Sequence, residues 1–155
     1  PFRLSDPAFG FSTQQITLVY LVYIMGIFMG PLAGRIGNRL GSGTTLLIGT
    51  ATLAASLACL LIVSVWAVVL GLVLMCAGFF CVHAAAVGAI NRKLSGGQGR
   101  ANALYVLFYY VGGWAGITVA GFAYSAQGWN AVVGVGFLLL LLLVNAGFSE
   151  RRNHP

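Results

Sequence analysis

Apolar residues run along this chain in stretches longer than a soluble helix needs, and polar residues gather in the short gaps between them. A bilayer core of ~30 Å takes about 20 residues of helix to cross. Stretches of that order lie at about 13–33, 44–63, 65–90, 101–124 and 129–148. The pattern predicts an all-α, polytopic membrane bundle with five transmembrane helices, forming a single unit over residues 1–155. The division between the second and third stretches is the least marked. From Thr44 to Ile90 the sequence is almost unbroken apolar residues, far too long for one crossing. A tight turn is therefore expected near Ser64, beside Trp66, a residue type favoured at the membrane interface.

Composition removes the soluble alternatives. Charged residues make up 6% of the chain and hydrophobic ones 59%, where soluble domains carry about 25% charge. Such a chain cannot cover a soluble surface with polar groups. The net charge of +6 comes from eight Lys and Arg against two Asp and Glu. Seven of the eight, all but Arg3, cluster as Arg35 and Arg39, then Arg92, Lys93 and Arg100, then Arg151 and Arg152. No aromatic interleaving accompanies them, so they do not read as a nucleic-acid surface. With five spans drawn, all three clusters fall on one side, and the positive-inside rule makes that side cytoplasmic. The N-terminus is then outside and the C-terminus inside. The opening residues, Pro1 to Pro7, lack the apolar core of a signal peptide. With no initiator Met, the chain is expected to be a piece of a longer protein with a span before it.

Ionisable residues inside a membrane are costly and are functional candidates by default. No Asp, Glu, Lys or Arg lies within the spans, which leaves His83 in the third. It has two readings: a neutral imidazole bonded to a neighbouring helix, or a group that exchanges protons near its ordinary pKa of ~6.5. Tyr105 and Tyr109 stand at i, i+4 on a face of the fourth span that begins at Asn102 and continues to Gly112 and Gly116. That stripe suits a substrate cavity, since phenols stack and hydrogen-bond; it equally suits interfacial anchoring. Tyr20 and Tyr23 are weaker candidates of the same kind. Gly26, Gly30 and Gly34 in the first span, with Gly112 and Gly116 in the fourth, have the spacing of close helix packing. On that reading Gly30→Leu is disruptive. Cys59, Cys76 and Cys81 all lie in apolar runs, without a disulfide framework or a metal-binding spacing. No metal or cofactor is expected. Enzyme readings fail on inventory, because the spans hold no carboxylate pair, no second haem-ligating His and no GxSxG.

One loop carries a family signature. Gly30-Pro31-Leu32-Ala33-Gly34-Arg35-Ile36-Gly37-Asn38-Arg39 resembles the G-x-x-x-[DG]-R-x-G-[RN]-[RK] loop of the major facilitator superfamily. Gly34 stands at the acidic position, as in the second copy of that loop. His83 and the stretch from Ala101 to Gly113 are similar to the tenth and eleventh spans of bacterial inner-membrane efflux permeases of the drug:proton antiporter branch. Gln127-Gly128-Trp129-Asn130 resembles the hairpin before their twelfth span. The resemblance implies that the five spans are the eighth to twelfth, most of a C-terminal six-helix half, with Phe2-Arg3-Leu4 the outer end of the seventh. It further implies alternating access, export of a small organic compound coupled to protons, and loop arginines that tether helix ends on the cytoplasmic side. The partners would be the lipid bilayer and an N-terminal half of the same transporter. A rival from another class is a membrane subunit that only scaffolds a partner complex.

The asymmetry of basic residues predicts a labelling pattern. Single cysteines at positions 35, 93 and 152, in a background without Cys59, Cys76 and Cys81, should resist impermeant maleimide added outside. Cysteines at positions 64 and 127 should react. Outside labelling at position 93 would overturn the topology.

Overall fold

The computed structural model describes Leu4, Pro7 and residues 9–153. Phe2 and Arg3, read above as the end of a preceding helix, lie outside the described residues. All regular structure among the described residues is helical. Helix α1 spans Thr13–Val19 and passes through a 3-10 segment, Tyr20–Ile24, into α2, Met25–Cys59. Helix α3 covers Val65–Lys93 and α4 covers Gln98–Asn153. At the start of α1 the Gln15 N–H donates to the Ser12 hydroxyl at 3.3 Å, and the Ser12 N–H donates to the Gln15 side chain at 2.9 Å. This reciprocal pair satisfies donors that a helix start otherwise leaves open.

Five separate helices do not form. Three helical runs are long and apolar enough to cross a membrane: Thr13–Cys59, Val65–Lys93 and Gln98–Arg152. The count differs because two of the expected loops shrink to one or two residues of non-helical backbone. Within α2 only Gly41 departs from helical geometry, with φ 79° and ψ 160°. A side chain resists that left-handed φ, and glycine takes it freely. The chain doubles back at this point. A Cβ placed on Gly37 would lie 3.7 Å from Thr45 Oγ1, whereas unbroken helix would set those residues about 12 Å apart. The Thr45 hydroxyl then donates to the Gly41 carbonyl at 2.8 Å. Within α4 the break falls at Gln127 and Gly128, the latter with φ 68°. Between α2 and α3 the chain leaves the helix after Cys59 and re-enters at Val65, where the Val68 N–H donates to the Ser64 carbonyl at 2.9 Å.

Packing fixes the direction of each arm. The second arm of α2 runs antiparallel to α3. Cys81 Sγ lies 3.5 Å from the Thr45 carbonyl oxygen, and the Ser56 hydroxyl donates to the Gly71 carbonyl at 2.7 Å. Between these points the two backbones touch. A Cβ on Gly49 would sit 3.1 Å from the Gly78 oxygen, and one on Gly78 would sit 2.9 Å from the Gly49 oxygen. The first arm of α4 is antiparallel to α3, since Asn102 meets Asn91 and Tyr109 meets Phe79. Its second arm returns along α2, with the Trp129 indole donating to the Leu60 carbonyl at 2.8 Å and Gly147 against Leu47. Gly41, the Lys93–Glu150 ion pair and Arg151 meet at one end of the bundle. Leu60, Ser64 and Trp129 mark the other.

The described residues cover only part of the glycine stripes read from spacing. Gly26 does face the Phe80 ring, but a Cβ on Gly30, Gly34, Gly112 or Gly116 would meet nothing within 4 Å among the described residues. The close approaches lie at Gly43, Gly49, Gly71, Gly78, Gly136 and Gly147. Spacing identifies a stripe of small residues; it does not say which face a neighbour covers. A Cβ at position 30 finds open space among the described residues, so the expected disruption by Gly30→Leu draws no support from contacts within this bundle.

Gly49→Val and Gly78→Val should each lower stability by about 1–3 kcal/mol, as overpacking does in tight interiors. Thermal unfolding in detergent, followed by size-exclusion chromatography, measures this. Gly134→Ala, whose Cβ meets nothing within 4 Å, should leave the midpoint unchanged or higher. Equal midpoints for all three variants would place the α2–α3 crossing elsewhere.

Candidate functional site

Phe79 and His83 stand one turn apart on α3, and Tyr105 and Tyr109 one turn apart on α4. Residues at that spacing share a helix face. The antiparallel crossing of the two helices brings the pairs together. Tyr105 Oη and His83 Nδ1 lie 2.9 Å apart. Phe79 stacks on the imidazole with centroids 5.9 Å apart and planes at 25°, while Tyr109 meets it edge-on at 5.6 Å and 70°. Tyr110 extends the cluster, edge to face with Tyr109 at 5.2 Å.

The hydrogen bond accommodates either neutral tautomer. With the proton on Nε2, the phenol donates to Nδ1. With it on Nδ1, the imidazole donates to the phenol oxygen. His83 and Tyr105 are half-buried, and Tyr109 is 41% exposed. Tyr105 spends its hydroxyl on the imidazole. His83 Nε2 and the Tyr109 hydroxyl have no hydrogen-bond partner among the described residues. The cluster therefore presents aromatic rings with two open polar atoms, and no carboxylate, ammonium or guanidinium group.

Three of the four residues proposed from sequence for a cavity thus come together, His83, Tyr105 and Tyr109. Asn102 does not join them. Its amide donates to Asn91 Oδ1 at 3.1 Å, a turn nearer the basic end, and its own carbonyl oxygen is buried without a partner. Phe79 and Asn91 were missed. Phe79 was legible as the i−4 neighbour of His83, by the same rule that paired the tyrosines. In the loop motif, Gly37 is buried and Arg35 and Arg39 are exposed. Neither arginine forms an ion pair among the described residues.

A separate cavity of about 690 Å³ opens toward the far end of the bundle, lined by Val19, Leu60, Leu72, Met75, Ile117 and Trp129 among others. Tyr20 and Tyr23, stacked with centroids 6.2 Å apart, border it. None of the His83 cluster lines it. Cys76 and Cys81 are buried free thiols and Cys59 is a half-buried one. Among the described residues no three of His, Cys, Asp or Glu gather as a metal site.

Comparison with known proteins gives a consistent picture. Residues 6–155 match the profile of the Major Facilitator Superfamily. The chain is 31% identical, over 97% of its length, to YybF of Bacillus subtilis (strain 168), described as an uncharacterized MFS-type transporter, and covers 37% of it. It is 32% identical, over 99% of its length, to the inner membrane transport protein YnfM of Escherichia coli (strain K12), and covers 36% of that protein. An uncharacterized transporter of Buchnera aphidicola subsp. Schizaphis graminum is 26% identical over 94% of the chain, which covers 34% of it. The chain thus spans little more than a third of these curated relatives. No solved structure matches it.

Tyr105→Phe should remove one interhelical hydrogen bond, a loss of about 0.5–1.5 kcal/mol. With two histidines in the chain, ¹⁵N-histidine labelling resolves the ring, and His83→Gln assigns it. The His83 Nδ1 resonance should move in Tyr105→Phe and stay in Tyr110→Phe. An unmoved resonance in Tyr105→Phe would show that the 2.9 Å contact is not a hydrogen bond.

Proposed function

We propose a function from one premise: the chain belongs to the major facilitator superfamily. It is part of a secondary active transporter that exports a small organic compound by alternating access, coupled to protons. The observation that carries this reading is the imidazole–phenol cluster between α3 and α4, set in a chain whose spans contain no Asp, Glu, Lys or Arg. The names of the relatives, which are transporters, support it.

In this reading the doubled-back arms at Gly41 and Gln127–Gly128 are hairpins, and the chain crosses the bilayer five times. The gathering of Gly41, Lys93 and Glu150 at one end supports a cytoplasmic basic end in the inner membrane, with the C-terminus inside and the described N-terminal residues outside. The helices that make up the remaining length of the relatives supply the other wall of the path. Tyr109 contacts the compound. His83 holds or releases a proton on the same wall, and among the described residues the aromatic rings that meet its own are those of Phe79, Tyr105 and Tyr109. Because Tyr105 bonds to Nδ1, protonation at Nε2 is felt in the hydrogen bond that joins α3 to α4.

Proteoliposomes holding the whole polypeptide, with trapped pyranine as proton reporter, test this against a panel of lipophilic fluorophores. Addition of an exported fluorophore should move protons against it. Tyr109→Ala should raise the half-saturating concentration about three- to tenfold, the value of one aromatic contact. His83→Ala should change the dependence of the rate on pH between about 5.5 and 8, bracketing an ordinary imidazole, with less effect on half-saturation. Proton movement with no compound in the panel would return the chain to the scaffold reading.

A further inference from the structure

The cluster between α3 and α4 has a composition that discriminates among ligands by charge. The nearest charged residues along the two helices are Arg92, about 13 Å along the axis from His83, and Arg100, about 13 Å from Tyr109 and about 7 Å from Tyr105. No Asp, Glu, Lys or Arg stands within the spans. An ion brought against this face gives up its hydration, which is costly in a medium of low dielectric. A cation finds no counter-ion there, and an anion finds one only while the imidazole carries a proton. The polar atoms without a partner are neutral: the Tyr109 hydroxyl, which donates or accepts, and His83 Nε2, whose role follows the tautomer. Around them stand the ring faces of Phe79, Tyr109 and Tyr110, in tilted and edge-on arrangements with centroids 5.2 to 6.1 Å apart. Tyr109 is 41% exposed, which leaves part of its ring open to stack on another aromatic ring.

We infer that this face of the chain binds an uncharged aromatic compound carrying a hydroxyl or similar hydrogen-bonding group, stacked on Tyr109 and bonded by its hydroxyl and His83 Nε2. The inference rests on the transport reading above and adds the substrate class. An aromatic cluster attracts cations through the ring quadrupoles as well. Here that attraction lacks the support of an anionic side chain, and the imidazole at the centre of the cluster opposes it whenever it carries a proton. Phenolic recognition needs neither.

Three naphthalenes of similar size separate these chemistries: 2-naphthol, 2-naphthoate and trimethyl(2-naphthyl)ammonium. Scintillation proximity binding of tritiated 2-naphthol to the whole polypeptide in nanodiscs at pH 7, with the two ions as competitors, measures the ranking. Protein-free nanodiscs give the lipid background. 2-Naphthol should bind about tenfold or more tightly than either ion, the scale of desolvating an unpaired charge. Tyr109→Phe keeps the ring and should weaken 2-naphthol about fivefold, the value of one hydrogen bond, while leaving the weak binding of the ions unchanged. Since that hydroxyl has no partner among the described residues, the variant should keep the unfolding midpoint of the parent. Equal or tighter binding of the ammonium compound would overturn the inference in favour of a cation site. Absence of 2-naphthol binding, where the panel fluorophores still move protons, would overturn the substrate class and leave the transport reading standing. Absence of both would overturn both.

Discussion

Where α2 and α3 cross, the two backbones meet at Gly49 and Gly78, and the rest of the bundle takes its register from that contact. In lipid no hydrophobic force draws helices together, so packing and hydrogen bonds between them must do it. Contact between backbones is possible only where neither residue carries a side chain. A turn or two to either side, the Ser56 hydroxyl reaches the Gly71 carbonyl and the Cys81 thiol reaches the Thr45 carbonyl. These are short groups, and they bridge only because the axes are already close. The crossing thus holds α3 in place along its length, and α3 carries Phe79 and His83.

The same constraint shapes the turns. Backbone groups left open in the hydrocarbon region are costly, so irregular backbone is confined to short corners. Gly41 reverses the chain with a single non-helical residue, and the Thr45 hydroxyl bonds the Gly41 carbonyl. Gln127 and Gly128 do the same between the arms of α4. That economy explains why the apolar pattern located the stretches and still misjudged how they are joined. Polar residues such as Asn38, Ser42 and Ser125 read as loop in sequence, yet all three are in helical backbone. Hydropathy reports which residues leave the lipid, and a helix can leave the lipid without unwinding.

Much of the candidate site was legible for a related reason. His83 stood out because an ionisable residue in an apolar run has few uses, and the two tyrosines because their spacing put them on one face. Which neighbours they meet was not legible. Gly112 and Gly116 continue the face of Tyr109 and share the spacing of true packing glycines, yet nothing among the described residues covers them. Asn102 belongs to the same stripe but is drawn off by Asn91. Each of these outcomes depends on the rotation of α4 about its axis relative to α3. Sequence periodicity fixes faces only relative to one another, so the rotation has to come from the packing.

An imidazole is tolerable in an apolar run when it is neutral and has a partner. A carboxylate in the same position would need a cation or a protonated form, and Arg92, Lys93 and Arg100 stand at the ends of α3 and α4 rather than beside it. The Tyr105 phenol satisfies the ring in either neutral tautomer, so the pair does not force a proton to one nitrogen. That indifference matters for a wall that faces a changing environment. On a protonated ring Nδ1 would be an obligatory donor and the phenol its acceptor. The same contact between α3 and α4 is therefore open to the neutral and the protonated ring alike.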